Sequence, residues 1–368
     1  MRGDTRKLYF VQWLRVFLIA LVVAHHAAQP YGPTGGRWPI DDPANAEWLG
    51  AFFAVNAAFF MGFFFLIAGY FTPGSHDRKG GAAFVRDRLV RLGIPLAFFT
   101  LVVFPVAGYF SDPPPVGFLA FYVSEYIGGW QLEMGPLWFV AQLLFYSLLY
   151  ALFRVLLARR GASHERAYPV PGDWQILVYV LALALAGAAV RIWAPQDRWV
   201  HLLWLIPAEP AHLPQYVSMF VIGIIAGRGQ WFSAVSGPLA ARWFTAGVVA
   251  FAIMVAAVVN QPRLPAWLDT GILWGFIEAF VCVGMILGLL VLFRTWCNRP
   301  GRWLDRLDAN VYGVYLIHIF IVVALQSAIL AEPWSATAKF FFVATLGIVL
   351  SFAGAAALRR IPGLSRVI

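Results

Sequence analysis

Arg15, His25, His26, Glu278 and His318 fall inside long apolar runs of the sequence, with Asn56 and Gln142 as neutral polar companions. Charge within hydrocarbon is costly, so such residues read first as functional candidates. Arg15 and His26 are eleven positions apart. At helical pitch that is about 20° beyond three full turns, so the two share one stripe, roughly 16 Å apart along the axis. His25 points about 100° away. A cation near one end of such a stripe can hold an anionic or polar group. A histidine farther along can take the proton of an incoming hydroxyl. On these residues alone a second reading stands beside the first: Arg15 snorkels to the headgroups and His26 is an interfacial histidine.

A second cationic feature, Arg86-Asp87-Arg88-Leu89-Val90-Arg91, precedes Pro95 at the mouth of the third apolar run. In an α-helix Arg88 and Arg91 stand at i,i+3 on one face, where two guanidinium groups can clamp phosphates. An ordinary topology anchor explains them as well. Glu278 lies at a depth compatible with His26, and a carboxylate there would fix the tautomer and raise the basicity of the histidine. A partner for an arginine in the outer half is the other reading. His318 fits packing and hydrogen bonding better than catalysis. The sequence carries no phosphate-cradling glycine loop, zinc-spaced His/Cys set or serine nucleophile elbow. The two cysteines, Cys282 and Cys297, suggest neither a disulfide framework nor a metal site.

These residues need a membrane to position them. The 368 residues are 61% hydrophobic and 12% charged, against about 25% charged in soluble domains. Apolar runs near 8–28, 48–71, 92–110, 136–157, 174–193, 213–227, 241–259, 271–293, 309–330 and 337–358 approach the ~20 residues that cross a bilayer. The run at 213–227 is the shortest. The first reads as a retained helix rather than a signal peptide, because it is long, carries Arg15 and precedes nine more. The net charge of +9 sits in alternate short loops, which points to membrane topology and away from nucleic acid. Most Lys and Arg fall on the side of the N-terminus; the exceptions are Arg37, Arg191, Arg198, Arg263, Lys339 and, within the first run, Arg15. The expected fold is therefore all-α: a polytopic membrane protein of about ten transmembrane helices, both termini cytoplasmic. The other side carries Asp41, Asp42, Glu47, Asp112, Glu125, Glu133 and Glu209, with many Trp, Tyr and Pro. Its segments 29–47, 111–135 and 194–212 are long enough to build a cap or cleft, or to serve as interfacial aromatic belts.

The chain resembles the family-3 membrane acyltransferases, most closely the branch that includes glucan biosynthesis protein C. Arg15 and His26 match the family's Arg-x10-His motif in the first helix, and Arg88 and Arg91 its Arg-x-x-Arg motif entering the third. Met61 to Phe71, Gly135-Pro136-Leu137-Trp138-Phe139-Val140 and Tyr312 to His318 are similar to its second-helix, fourth-helix and late elements. Ala68 stands where many relatives have serine, and His25 where an aromatic or aliphatic residue is common.

The resemblance implies a single membrane acyltransferase domain over 1–368, in the inner membrane; no fused periplasmic transferase domain is expected. It implies transfer of an acetyl or succinyl group from cytoplasmic acyl-CoA to a hydroxyl of a glycan, lipid or small molecule. His26, Arg15 and Glu278 would then be catalytic, with Arg88, Arg91 and Arg15 on the acyl-CoA and no metal involved. Direct transfer and an acyl-histidine intermediate both remain open, as do acetyl against succinyl, the acceptor and the oligomeric state. The competing class is an exporter of a lipid-linked or small-molecule substrate, because buried Arg, His and Glu also serve proton relays. No inverted repeat or paired broken helices support it.

Overall fold

A computed structural model describes residues 7–33, 38–160, 167–259 and 271–367, with backbone alone for 257–259 and 271–272. Of the arginines used in the charge map, Arg2, Arg6, Arg37, Arg166 and Arg263 lie outside the described residues. Among the described residues the fold is all-α apart from one two-stranded hairpin. Among the described residues nine helical segments are long and apolar enough to cross a membrane.

These segments follow the apolar runs. We number them α1 (Tyr9–Ala28), α2 (Trp48–Lys79), α3 (Gly81–Ser111), α4 (Trp138–Arg159), α5 (Asp173–Trp193), α7 (Gly237–Val259), α8 (Gly271–Trp296), α9 (Arg302–Ala328) and α10 (Ala336–Leu358). The expected short span between α5 and α7 is also a helix, α6 (Leu213–Gly229). Its 17 residues cover about 26 Å. It runs on directly from a 3-10 turn, Pro210–His212.

Contacts between helix ends reproduce the alternation in the charge pattern. Asp77, near the end of α2, is paired with Arg154 of α4 and Arg228 of α6. Asp173 of α5 meets Arg242 of α7, Lys7 meets Asp305 of α9, and Arg359 beyond α10 donates to the carbonyl of Ala309. All these groups lie on the face where α1 begins, called here the N-terminal face.

Small residues set the tightest packing. Where α2 crosses α6, a Cβ on Gly223 would come 2.9 Å from the Cα of Gly69, and one on Gly227 would collide with the carbonyl of Tyr70. Such small-xxx-small spacing lets membrane helices approach backbone to backbone. By contrast, α3 is an irregular rod that packs mainly along α4. Its wide π-type turns Leu89–Gly93 and Phe99–Val103 each run into a proline-bearing segment, with Pro95 and Pro105 close behind. Proline has no N–H to continue the α ladder and its ring crowds the preceding turn, so the helix widens there.

α1 is surrounded by α2, α8, α9 and α10. It runs parallel to α9 in near register, so that Arg15 faces Asp308 and His26 faces His318. On the far side the hairpin Val200–Leu202 with Ile206–Ala208 pairs Val200 with Ala208 and Leu202 with Ile206. Gln142 of α4 donates to the carbonyl of Pro207 (3.0 Å), and the Trp130 indole donates to that of Trp204 (2.6 Å). Two of the three long far-side segments therefore touch, as a cap would require.

Candidate active site

His26 lies on the last turn of α1, partly buried, and His318 is fully buried in α9. Nδ1 of His318 is 2.7 Å from the carbonyl oxygen of Tyr315. A carbonyl only accepts, so in the neutral ring the proton sits on Nδ1 and Nε2 carries the lone pair. That Nε2 lies 3.0 Å from Nδ1 of His26, which is also 3.0 Å from the carbonyl of Val22. Both neighbours accept, so the proton of neutral His26 is assigned to Nδ1. Its Nε2 then bears a free lone pair, and none of the described residues bonds it. This is the tautomer a general base needs. Sequence reasoning cast His318 chiefly as a packing histidine; the fold makes it the direct partner of His26.

His25 takes a different course. Its ring packs against Phe53 and Phe60, with centroids 5.0 and 5.2 Å away, and its buried Nδ1 has no hydrogen-bond partner. The helical phase that separates it from Arg15 and His26 is seen directly.

Arg15 is not a free cation. Its Nη1 lies 3.1 Å from Oδ1 of Asp308, and Gln12 donates to the other oxygen of that carboxylate at 3.1 Å. Arg15 keeps about a third of its side chain exposed, so an anionic ligand could share it with Asp308. Arg88 and Arg91, expected on one face, flank the start of the wide turn Leu89–Gly93. The guanidinium of Arg88 sits 5.0 Å over the Phe84 ring, and its buried Nε has no hydrogen-bond partner. Arg91 is exposed, with Nε 3.7 Å from Asp87, a carboxylate that also holds Lys79 at 2.8 Å.

Glu278 does not pair with His26. Its carboxylate is bonded to Arg191 of α5, and the side chains of both are largely buried. The physical reason is charge: at this depth a permanent guanidinium answers a carboxylate better than a neutral imidazole does. The alternative reading, an arginine partner in the outer half, is the one the fold adopts. Of the neutral companions, Gln142 binds the hairpin and accepts from Tyr146 at 3.0 Å, whereas buried Asn56 leaves Nδ2 unpaired.

Three further contacts had no clear signal in the sequence. The Trp38 indole stacks on the His26 ring, with centroids 5.6 Å apart and planes 19° from parallel. Buried Gln326 joins the two: it accepts from the Trp38 indole at 2.8 Å and donates to the carbonyl of His26 at 3.1 Å. Tyr315 donates to the carbonyl of Pro136, which ties the late Tyr-His element to the Gly-Pro-Leu-Trp element at the start of α4. A groove of about 780 Å³ between α3 and α4 and a small pocket at Arg191 and Glu278 are both lined without Arg15 or His26.

Fold and side chains together define a multi-pass membrane protein with a histidine pair toward one face and a partly exposed arginine toward the other. A family model described as an acyltransferase domain, that of the family-3 acyltransferases, matches residues 8–360. The chain belongs to this family and is a membrane acyltransferase. The match is to the family as a whole and does not select the glucan biosynthesis branch. No curated protein and no solved structure matches the chain.

Proposed function

We propose that the protein is an O-acyltransferase that moves an acetyl or succinyl group from cytoplasmic acyl-CoA to a hydroxyl of a glycan, lipid or small molecule exposed at the far side of the inner membrane. The observation that carries this reading is the histidine pair. His26 is held with its proton on Nδ1 and its Nε2 lone pair free, at the far-side end of a stripe whose other end bears Arg15.

In this reading the N-terminal face is cytoplasmic, as its Lys and Arg content supports. The coenzyme phosphates lie near Arg88 and Arg91, and the arm of the donor runs past Arg15 toward His26. The acceptor O–H gives its proton to Nε2 of His26 while its oxygen bonds to the thioester carbon. The C–S bond then breaks, and the departing thiolate takes the proton back from the imidazolium. The products are an ester and free CoA thiol. His318 steadies the imidazolium by accepting from its Nδ1–H, the role a carboxylate plays in a catalytic triad. Glu278, paired with Arg191, has no part in these steps.

The test is transfer of label from [14C]acetyl-CoA or [14C]succinyl-CoA to envelope material in purified membranes. Wild-type protein should transfer label, and His26→Ala should not, at equal membrane abundance. Near-wild-type transfer by His26→Ala would refute the base assignment. Export of an acceptor without any donor dependence would point to a transporter.

A further inference from the structure

Trp38 belongs to the far-side connection between α1 and α2, yet its position is fixed more firmly than a loop residue's usually is. Asp42, four residues on, forms an ion pair with Lys339 of α10 at 2.7 Å, and both side chains are 2% exposed or less. The same Lys339 donates to the carbonyl of Leu330 at 3.0 Å, between α9 and α10. The backbone N–H of Ala46 bonds the carbonyl of Tyr31 (2.7 Å), and the Trp48 indole bonds Thr337 (3.0 Å). The connection is thereby strapped across the ends of α9 and α10.

Within that strap the indole N–H of Trp38 is spent on Gln326, and the amide of Gln326 is spent on the carbonyls of His26 and Ala27. In the arrangement that makes this hydrogen bond the indole face lies on the imidazole of His26. A rigid aromatic plane with two torsions is a low-entropy means of fixing a neighbour's orientation.

We propose that Trp38, clamped by Gln326, is a positioning residue that fixes the plane of the His26 imidazole and covers one face of the base on the far side of the membrane. This rests on the reading of His26 as the base. It adds that the far-side strap takes part in the reaction and that acceptors approach His26 past the edge of an indole. The cover limits the access of bulk water to the ring, which suits an enzyme whose acceptor hydroxyl competes with water for an energy-rich thioester.

The test reads the accessibility of His26 directly, with no need to know the acceptor. Diethyl pyrocarbonate modifies the lone-pair nitrogen of neutral imidazoles, and peptide mass spectrometry gives the rate at each histidine. In the purified full-length protein, exposed His201 serves as the internal standard. Trp38→Ala should raise the rate at His26 severalfold relative to His201 by uncovering the imidazole, Gln326→Met should raise it by less, and Trp38→Phe should stay near wild type. Unchanged His26 reactivity in Trp38→Ala, with its melting temperature and His201 rate preserved, would overturn the proposal. If Trp38→Ala melts early, Gln326→Met decides by the same criterion. In the labelled-transfer assay Trp38→Ala should lower kcat about tenfold or more while leaving the KM for acyl-CoA unchanged. A change confined to donor KM would also overturn it. Failure of the base assignment itself is read separately, as persistent transfer by His26→Ala.

Discussion

Nε2 of His318 lies 3.0 Å from Nδ1 of His26, although 292 residues separate them in the chain. The parallel course of α1 and α9 produces this contact. It also brings Arg15 beside Asp308 at the other end of the same pair of helices.

Removing His318 leaves the Val22 carbonyl alone to hold the Nδ1 proton of His26 and takes away the neighbour that steadies its imidazolium. His318→Ala is expected to lower the kcat for acyl transfer by roughly 10² or more, by analogy with loss of the orienting residue in a triad. His25→Phe, which alters the adjacent ring among phenylalanines, should remain close to wild type. Labelled transfer at matched protein abundance checks both. Equal losses in the two variants would mean that the region fails as packing and not as chemistry.

Asp308 competes with any anion for Arg15. Asp308→Asn should therefore tighten acyl-CoA binding severalfold, and Arg15→Ala should weaken it, the sign following from attraction to a freed or deleted cation. Isothermal titration with a non-hydrolysable acyl-CoA thioether on the detergent-solubilised protein reads the two shifts. Parallel changes in both variants would show that Arg15 does not meet the donor.

The Arg191–Glu278 pair should behave as structure. Arg191→Met strands a buried carboxylate and should destabilise the protein by about 3–5 kcal/mol, whereas replacing both partners by apolar residues should recover most of that loss. Melting of the purified single and double variants supplies the cycle. A stable Glu278→Gln protein with no transfer activity would return Glu278 to the reaction.

At the crossing of α2 and α6, Gly223→Leu has nowhere to place its side chain, since a Cβ already meets Gly69 and the carbonyl of Leu66. Overpacking of this kind costs about 1–3 kcal/mol, or more where backbone is the obstacle. The expected outcome is a lower melting temperature and a poor yield of folded protein, and Gly69→Ala should act in the same direction, since a Cβ there meets the carbonyl of Phe220.

How far the sequence could be read depends on the range of the interactions concerned. Hydropathy and charge bias are local, and each of the ten apolar runs they marked coincides with a helix, including the short α6, whose length sits at the margin for a span; the shorter apolar helix Phe118–Ile127 they did not mark. The Arg15–His26 stripe was legible for the same reason, because one helix and its pitch determine it. Contacts between helices were not legible. Nothing within α8 says that Glu278 faces α5, and nothing within α9 says that His318 and Gln326 face α1. The wide turn at Leu89–Gly93 was not legible for a local reason of another kind: helix periodicity assumes α geometry, and Pro95 interrupts the ladder just beyond it.

α1 is an unbroken helix from Tyr9 to Ala28. In the proposed reaction the anchoring charge and the base therefore stand a constant interval apart, like two marks on a ruler. A donor whose arm passes the first mark delivers its carbonyl to the second only if the arm reaches about 16 Å beyond it. Thioesters with shorter carriers would be rejected by reach alone, before any recognition of the group they bear.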